Sequence, residues 1–264
     1  MKLGFIGCGN MANAMMGGIV KNGVCAPADI LMSDPTVEKL EKAKTAYGVQ
    51  TTQENTAVVQ FADVVVLAVK PQFYAEVIAE IKELVRPEQL IITIAPGKTL
   101  AWLAEQFGKP VRLVRTMPNT PALVGEGITA ACPNEYVPQQ ALDDALKIVG
   151  SFGKAEVIPE RLMDAVVAVS GSSPAYVFLF IEAMADAAVA EGMPRAQAYT
   201  FAAQAVLGSA KMVLETGKHP GELKDMVCSP AGTTIEAVRV LEEKGFRSSV
   251  IEAMMACAEK ARSV

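Results

Sequence analysis

The chain has 264 residues, of which 51% are hydrophobic, and a formal net charge of −5, so it can bury a large core and suits two domains better than one. No cluster of Lys and Arg offsets the acidic balance, which argues against a nucleic-acid surface and leaves any anionic cofactor to be held by local dipoles. Five scattered cysteines (8, 25, 132, 228 and 257), none in a C-x-x-C pair, and a single histidine exclude a zinc site; no metal is expected, and the plain reading is reduced thiols in a cytosolic protein, with Cys8 and Cys228 as small buried filler.

The chain opens on Lys2-Leu3-Gly4-Phe5-Ile6-Gly7-Cys8-Gly9-Asn10-Met11-Ala12, which reads as a strand, a glycine turn and a helix. Gly7 allows the tight turn, Gly9 lets backbone N–H groups approach a pyrophosphate, and Ala12, in the third-glycine position, keeps helix and strand close. The N-terminus of the helix then faces the phosphates. Because Met1-Lys2 leads straight into a core strand, no signal peptide is expected.

Gly23 is a stop for the first helix, and a second strand over 30–33 ends at Asp34. An acidic side chain there can accept both hydroxyls of an adenosine ribose, favouring NAD over a 2′-phosphate, although Ser33, Thr36 and Lys39 can still hold that phosphate. The alternative is that Asp34 caps the helix beginning near Thr36. Further strands are expected over 49–51, 64–69, 90–94, 111–115, 127–131 and 154–157, with helical segments such as 73–85 and 138–149 between them; Pro138 suits a first helical turn. Uninterrupted β-branched strands alternating with amphipathic segments indicate a Rossmann-type, doubly wound α/β domain whose parallel sheet is covered on both faces. Ligands in such sheets lie beyond the carboxyl ends of the strands, at Ala68-Val69-Lys70-Pro71, Ala95-Pro96-Gly97 and the run from Thr116 to Pro121. Lys70 can neutralise charge there, and Asn119 and Thr120 can orient a carboxamide or a substrate.

A domain boundary is expected near Pro159, giving a nucleotide-binding domain over 1–159 and an all-α domain over 160–264. Helices are predicted over 160–169, 174–191, 195–215, 220–226, 233–244 and 246–261, with Gly192, Gly217 and Gly245 at their stops. The helices over 174–191 and 195–215 are apolar nearly all round, more than a hundred-residue helical domain can hide, so they are expected to pack against a second copy of the chain. The least charged run, 165–181, is interrupted at Ser170-Gly171-Ser172-Ser173-Pro174 and is therefore a poor membrane span. His219, with Pro220 after it, suits a helix start better than catalysis.

One loop stands out: Val227-Cys228-Ser229-Pro230-Ala231-Gly232-Thr233-Thr234 runs directly into a helix. Backbone N–H groups of Gly232, Thr233 and Thr234 are expected to be free for an anion such as a carboxylate. Spacing alone leaves equally open that Thr233 or Thr234 caps the helix.

These residues resemble the pyrroline-5-carboxylate reductase family almost from end to end. The resemblance rests on the N-terminal glycine motif, Ala68-Val69-Lys70-Pro71, Arg115-Thr116-Met117-Pro118-Asn119-Thr120-Pro121, the Ser170 to Tyr176 block, and the stretch from His219-Pro220 through Lys224-Asp225 to Ser229-Pro230-Ala231-Gly232-Thr233-Thr234. It implies NADPH-dependent (NADH being possible) reduction of the cyclic imine 1-pyrroline-5-carboxylate to L-proline, by a cytoplasmic homodimer, or a higher oligomer of dimers, whose cleft draws on both subunits. No membrane or nucleic-acid partner is implied. Thr234 would reach the imine nitrogen as the catalytic group. Ser172, Val227, Ser229, Gly232, Thr233 and Thr234 would bind the substrate, and the cofactor would touch Gly7, Gly9, Asn10, Met11, Ala12, Ser33, Asp34, Ala68, Val69, Lys70, Pro71, Ala95 and Asn119.

Two departures from the family pattern stand out. Ser173 occupies a position that is glycine in many relatives, and Asp34-Pro35 replaces the Asn-Arg of some, which puts the usual NADPH preference in question. The competing readings are another imine or β-hydroxyacid-type reductase, disfavoured because the first lysine after Ser173 is Lys211, and a non-catalytic dinucleotide-binding protein.

Overall fold

The β-branched runs become eight short strands of one sheet. In chain order the elements are β1 (Leu3–Ile6), α1 (Asn10–Lys21), β2 (Ile30–Ser33), α2 (Val37–Tyr47), β3 (Gln50–Thr52), α3 (Asn55–Phe61), β4 (Val64–Leu67), α4 (Tyr74–Ile81), β5 (Leu90–Thr93), α5 (Leu100–Phe107), β6 (Arg112–Met117), β7 (Gly127–Pro133), α6 (Gln139–Val149) and β8 (Gly153–Val157). The sheet order is β3-β2-β1-β4-β5-β6-β7-β8. Reversal of the winding on either side of β1 makes it doubly wound, with ligand space at the carboxyl ends of the central strands. This computed structural model describes residues 1–262.

All pairings are parallel except β6 with β7, where Thr116 faces Ala131 and Arg115 faces Cys132. That one reversal departs from a fully parallel sheet. Only nine residues, 118–126, separate these strands, too few for the crossover that a parallel return requires. Pro138 lies just before α6, with extended backbone, and not in its first turn. The margins of the sheet are β3, three residues long, and β8, on which Lys154 and Glu156 are exposed.

Period-two alternation sorts the strand side chains onto two buried faces. Leu3, Phe5, Met32, Val66, Ile92 and Val114 pack with Met15, Met16 and Ile19 of α1 and Ile148 of α6. Ile6, Val65, Leu67, Ile91 and Leu113 pack with Val58 of α3, Ile78 and Ile81 of α4 and Phe107 of α5. Arg115 is buried and paired with Glu160 at 2.7 Å, whose Oε1 also accepts the Leu100 N–H, so Arg115 fastens the end of the sheet.

Beyond the sheet come α7 (Met163–Val166), α8 (Ser173–Ala190), α9 (Arg195–Thr216), α10 (Pro220–Val227), α11 (Thr233–Glu243) and α12 (Phe246–Arg262). The chain divides into two compact units, one running from Met1 to Ser172 and taking in the end of the chain from Cys257, the other Ser173–Ala256. The expected interruption at Ser170–Pro174 is smaller than the sequence suggests. A π-helical turn over Val167–Gly171 carries the chain on, with the Ser172 N–H reaching five residues back to Val167 O at 2.8 Å. Pro174 is tolerated because it lies in the first turn of α8, where its missing N–H would have no helical partner. By length and composition alone the path Glu160–Ala190 is long and apolar enough to cross a membrane.

Within the helical unit, α8 and α9 meet through Ala185, Ala198 and Ala202, small residues that allow close approach. Phe180 and Phe246 place their rings 6.0 Å apart, and Arg195 pairs with Asp186. Gly192, Gly217 and Gly245 take positive φ where helices stop, and His219 caps α10 by accepting the Gly221 N–H on Nδ1 at 3.0 Å. Much apolar surface remains: Leu179 is 69% and Phe201 66% exposed, with Phe178 and Leu214 similar. None of the described residues of α10, α11 or α12 is buried.

Candidate active site

The glycine turn after β1 is built for close approach. Gly7 has φ +106, and a Cβ there would lie 2.7 Å from Ala68 O at the end of β4; its N–H donates to Ser33 O at 2.7 Å, tying the turn to β2. Gly9 is the N-cap of α1 and has no side chain to cap with. The N–H groups of Asn10 and Met11 consequently have no partner among the described residues, and the positive end of the helix dipole faces the turn. Ala12 is fully buried against the sheet. Asn13 braces the turn by donating to Cys8 O (3.0 Å) and Gly9 O (2.9 Å).

A cavity of about 510 Å³ opens beside this turn. Gly7, Gly9, Ser33, Asp34, Ala68, Val69 and Lys70 line it, together with Lys39, Gln53, Asn55 and Glu80. A second cavity, bounded by Asn10, Met11, Lys39, Lys42 and Thr120, adjoins the start of α1. Free amides, a side-chain-free turn and nearby lysines fit a dinucleotide.

Asp34 borders this space, but its oxygens are not free as those of a ribose ligand would be. It is 5% exposed. Oδ2 accepts the Cys8 N–H at 3.0 Å, Oδ1 accepts the Thr36 N–H at 3.0 Å, and Lys39 Nζ lies 3.2 Å from both oxygens. A carboxylate offers about four acceptor positions, and all are taken. Burial pushes the Asp34 carboxyl upward, but the bonds from Cys8, Thr36 and Lys39 outweigh it and hold the group below its ordinary value. Neither a free ribose acceptor nor a simple cap, Asp34 joins the glycine turn to the start of α2. The thiol of Cys8, beside it, is pushed up to about 12 by burial and then by the charge of Asp34, which keeps it inert. Ser33 is fully buried, donating to Asn55 Oδ1 at 2.8 Å, and Asn55 in turn donates to Glu80 at 2.7 Å.

At the ends of β4 and β5 a buried tyrosine holds two turns together. The Tyr74 hydroxyl donates to Leu67 O at 2.5 Å and accepts the Ile94 N–H at 3.3 Å. Ala68–Pro71 and Ala95–Gly97 follow directly. Tyr74→Phe leaves both backbone groups without this partner, and a stability loss of about 1–3 kcal/mol is expected, with weaker nucleotide binding. Denaturant melts and a nucleotide titration check it; a variant equal to the parent in both removes the clamp. Lys70 is exposed at the mouth of the cavity beside the glycine turn. Ala95 is buried. Asn119 is less free than expected, because Oδ1 accepts the Ile128 N–H at 2.9 Å and Nδ2 donates to Ser170 O at 3.1 Å, leaving one amide hydrogen.

Sequence reasoning missed Asn55, Gln53, Tyr74 and Asn13. The first two follow the short, polar β3, whose carboxyl end belongs to the same edge as the other ligand turns. Inspecting it by the same rule would have found them.

In the helical unit, the Thr233/Thr234 alternative resolves: the N-cap of α11 is Gly232 and no side chain caps it. The Gly232 N–H is not free, however, since it donates to Ser229 O at 3.0 Å. The unpartnered donors at this helix start, among the described residues, are the N–H groups of Thr233, Thr234 and Ile235. Ala231 holds φ +55, alone among the described non-glycine residues in taking a positive φ, and so turns the loop into the helix. Val227 is 63% exposed, and Cys228 is half-buried, not the buried filler expected. Ser172, in the other unit, accepts a hydrogen bond from the Cys257 thiol at 3.3 Å.

Two family profiles match. Residues 160–264 match one described as pyrroline-5-carboxylate reductase dimerisation, and residues 2–97 match NADP oxidoreductase coenzyme F420-dependent. Over its full length the chain is 54% identical to the pyrroline-5-carboxylate reductase of Escherichia coli, covering 98% of that protein. Among solved structures it is similar to a pyrroline-5-carboxylate reductase from Coxiella burnetii, with a TM-score of 0.94, 37% identity, and 99% and 97% of the two chains covered. It is also similar to the Plasmodium falciparum pyrroline carboxylate reductase with NADP bound, with a TM-score of 0.90, 33% identity, and 100% and 97% covered.

Proposed function

Because this chain belongs to the pyrroline-5-carboxylate reductase family, we propose that it reduces 1-pyrroline-5-carboxylate to L-proline, the last step of proline biosynthesis, with NADP(H) as its cofactor. The observation that carries the reading is that the chain holds both an amide-lined glycine turn, in one unit, and an uncapped helix start, in the other. When bound, the reduced nicotinamide supplies the hydride that converts the ring C=N bond to an amine.

The protein's own tasks are to bind and orient. A cyclic imine can take its proton from water, so a strong acid is not required, in keeping with His219 being spent on a cap. The N–H groups of Thr233 and Thr234 are proposed to receive the substrate carboxylate at the positive end of α11, and the Thr234 hydroxyl to bond the ring nitrogen. Ser172, Val227 and Ser229 complete the substrate set. Gly7, Gly9, Asn10, Met11 and Ala12 are proposed to seat the pyrophosphate, with Ser33, Ala68, Val69, Lys70, Pro71, Ala95 and Asn119 along the rest of the cofactor. Asp34 enters through the groups it holds and not as a ligand.

The dimerisation match makes the chain a homo-oligomer. We assign the exposed apolar residues of α8 and α9 to a second copy, in a cytoplasmic homodimer with no membrane or nucleic-acid partner.

Thr234→Ala tests the substrate assignment. Loss of one hydrogen bond to the reacting ring is worth roughly 1.5–3 kcal/mol, so kcat/KM should fall about ten- to a hundredfold with folding intact. An unchanged rate would remove Thr234 from the chemistry.

A further inference from the structure

We propose that Lys39, held in place by Asp34, is the residue that reads the 2′-phosphate of the nucleotide, and that Asp34 serves as its positioning residue. The inference rests on the nucleotide-binding reading above. It resolves an apparent conflict, an acidic residue at the end of β2 in a chain whose relatives include one with NADP bound.

The position comes first. In doubly wound sheets the adenosine ribose lies at the carboxyl end of the second strand, where a carboxylate selects the free 2′-hydroxyl and a cation accommodates the phosphate. Here β2 ends at Ser33, and the carboxylate that follows is fully engaged by Cys8, Thr36 and Lys39. It has no acceptor position left for a hydroxyl. Lys39 lies in the first turn of α2 and borders both cavities. Its side chain is 49% exposed whereas that of Asp34 is 6% exposed, so the pair shows its cationic partner to the solvent and its anionic partner to the interior.

The ammonium group has three hydrogens, and the two Asp34 oxygens leave at least one for a phosphate oxygen. A lysine tethered in this way has already lost much of its rotamer freedom, so less ordering is left for the phosphate to impose. The other polar groups at this edge are less suited. Ser33 and Asn55 form a bonded chain to Glu80, whose charge opposes a phosphate. Lys70 follows β4, on the other side of β1 from β2, and is placed for the pyrophosphate.

The test is equilibrium titration of the full-length protein with NADP+ and with NAD+ by calorimetry, in the absence of substrate. Lys39→Gln should weaken NADP+ binding ten- to a hundredfold and NAD+ binding less than threefold. Lys39→Arg should keep the preference for NADP+. Equal losses for the two nucleotides, or no loss, would overturn the assignment. Lys42→Gln, on the same helix, should leave the ratio within threefold; a shift as large as that of Lys39→Gln would make recognition a diffuse field and overturn it as well. Should Lys39→Gln fail to fold, Lys39→Arg and the wild type decide by salt: the NADP+ to NAD+ affinity ratio should shrink severalfold between low and high ionic strength, and a constant ratio counts against the proposal. Wild-type protein that bound neither nucleotide would instead defeat the nucleotide-binding reading.

Discussion

Leu179→Arg should convert the assembled protein into single chains. Leu179 is 69% exposed on α8 and Phe201 66% exposed on α9, and both belong to the segment matched as a dimerisation domain. An unpaired guanidinium buried where apolar side chains meet costs roughly 2–5 kcal/mol, and a symmetric contact repeats the cost in each copy. The dissociation constant should therefore rise by about three decades or more. Sedimentation velocity at micromolar concentration gives the answer. A sedimentation coefficient unchanged from the parent would show that the partner copy sits elsewhere.

Gly7→Ala is expected to have the next largest effect. At φ +106 an alanine is strained regardless of space, and here its Cβ would also lie 2.7 Å from Ala68 O, a backbone atom that cannot swing aside. Positive-φ strain alone costs about 1–3 kcal/mol. The contact adds to this by moving the end of β4 away from the turn. Since Gly7 also donates to Ser33 O, the shift spreads to β2, and both walls of the nucleotide groove open. Nucleotide affinity should fall at least about a hundredfold, near 3 kcal/mol, with a lower melting temperature. Titration of NADP+ and a thermal melt measure the two effects; near-wild-type affinity would mean that the groove tolerates a side chain at its turn.

What could be read from the sequence was mostly local. The order of strands and helices follows from apolar periodicity, and the helix stops at Gly192, Gly217 and Gly245 coincide with positive φ because few residues other than glycine adopt it cheaply. The antiparallel return of β7 was also legible, had the nine residues before it been weighed against the length of a crossover. Side-chain direction was not. Asp34 faces inward because Cys8, 26 positions earlier, brings an N–H to it. Asn119 is engaged because Ser170, 51 positions later, brings a carbonyl. At the loop before α11 the motif was legible, but which amides remain unpaired depended on Ser229 folding back onto Gly232, a contact that motif spacing does not reveal.

The two margins of the sheet bear on what happens when the helices lose their partner. A three-residue strand at one side and alternating Lys154 and Glu156 at the other make poor templates for an incoming strand. A chain with its apolar helical surface uncovered has thus no ready route to ordered fibrils through the sheet. Much of its exposed apolar surface lies on helices, among them Leu179 of α8, Phe201 of α9 and Ile251 and Met255 of α12, so misassembled protein should form amorphous clumps that stay free of cross-β order.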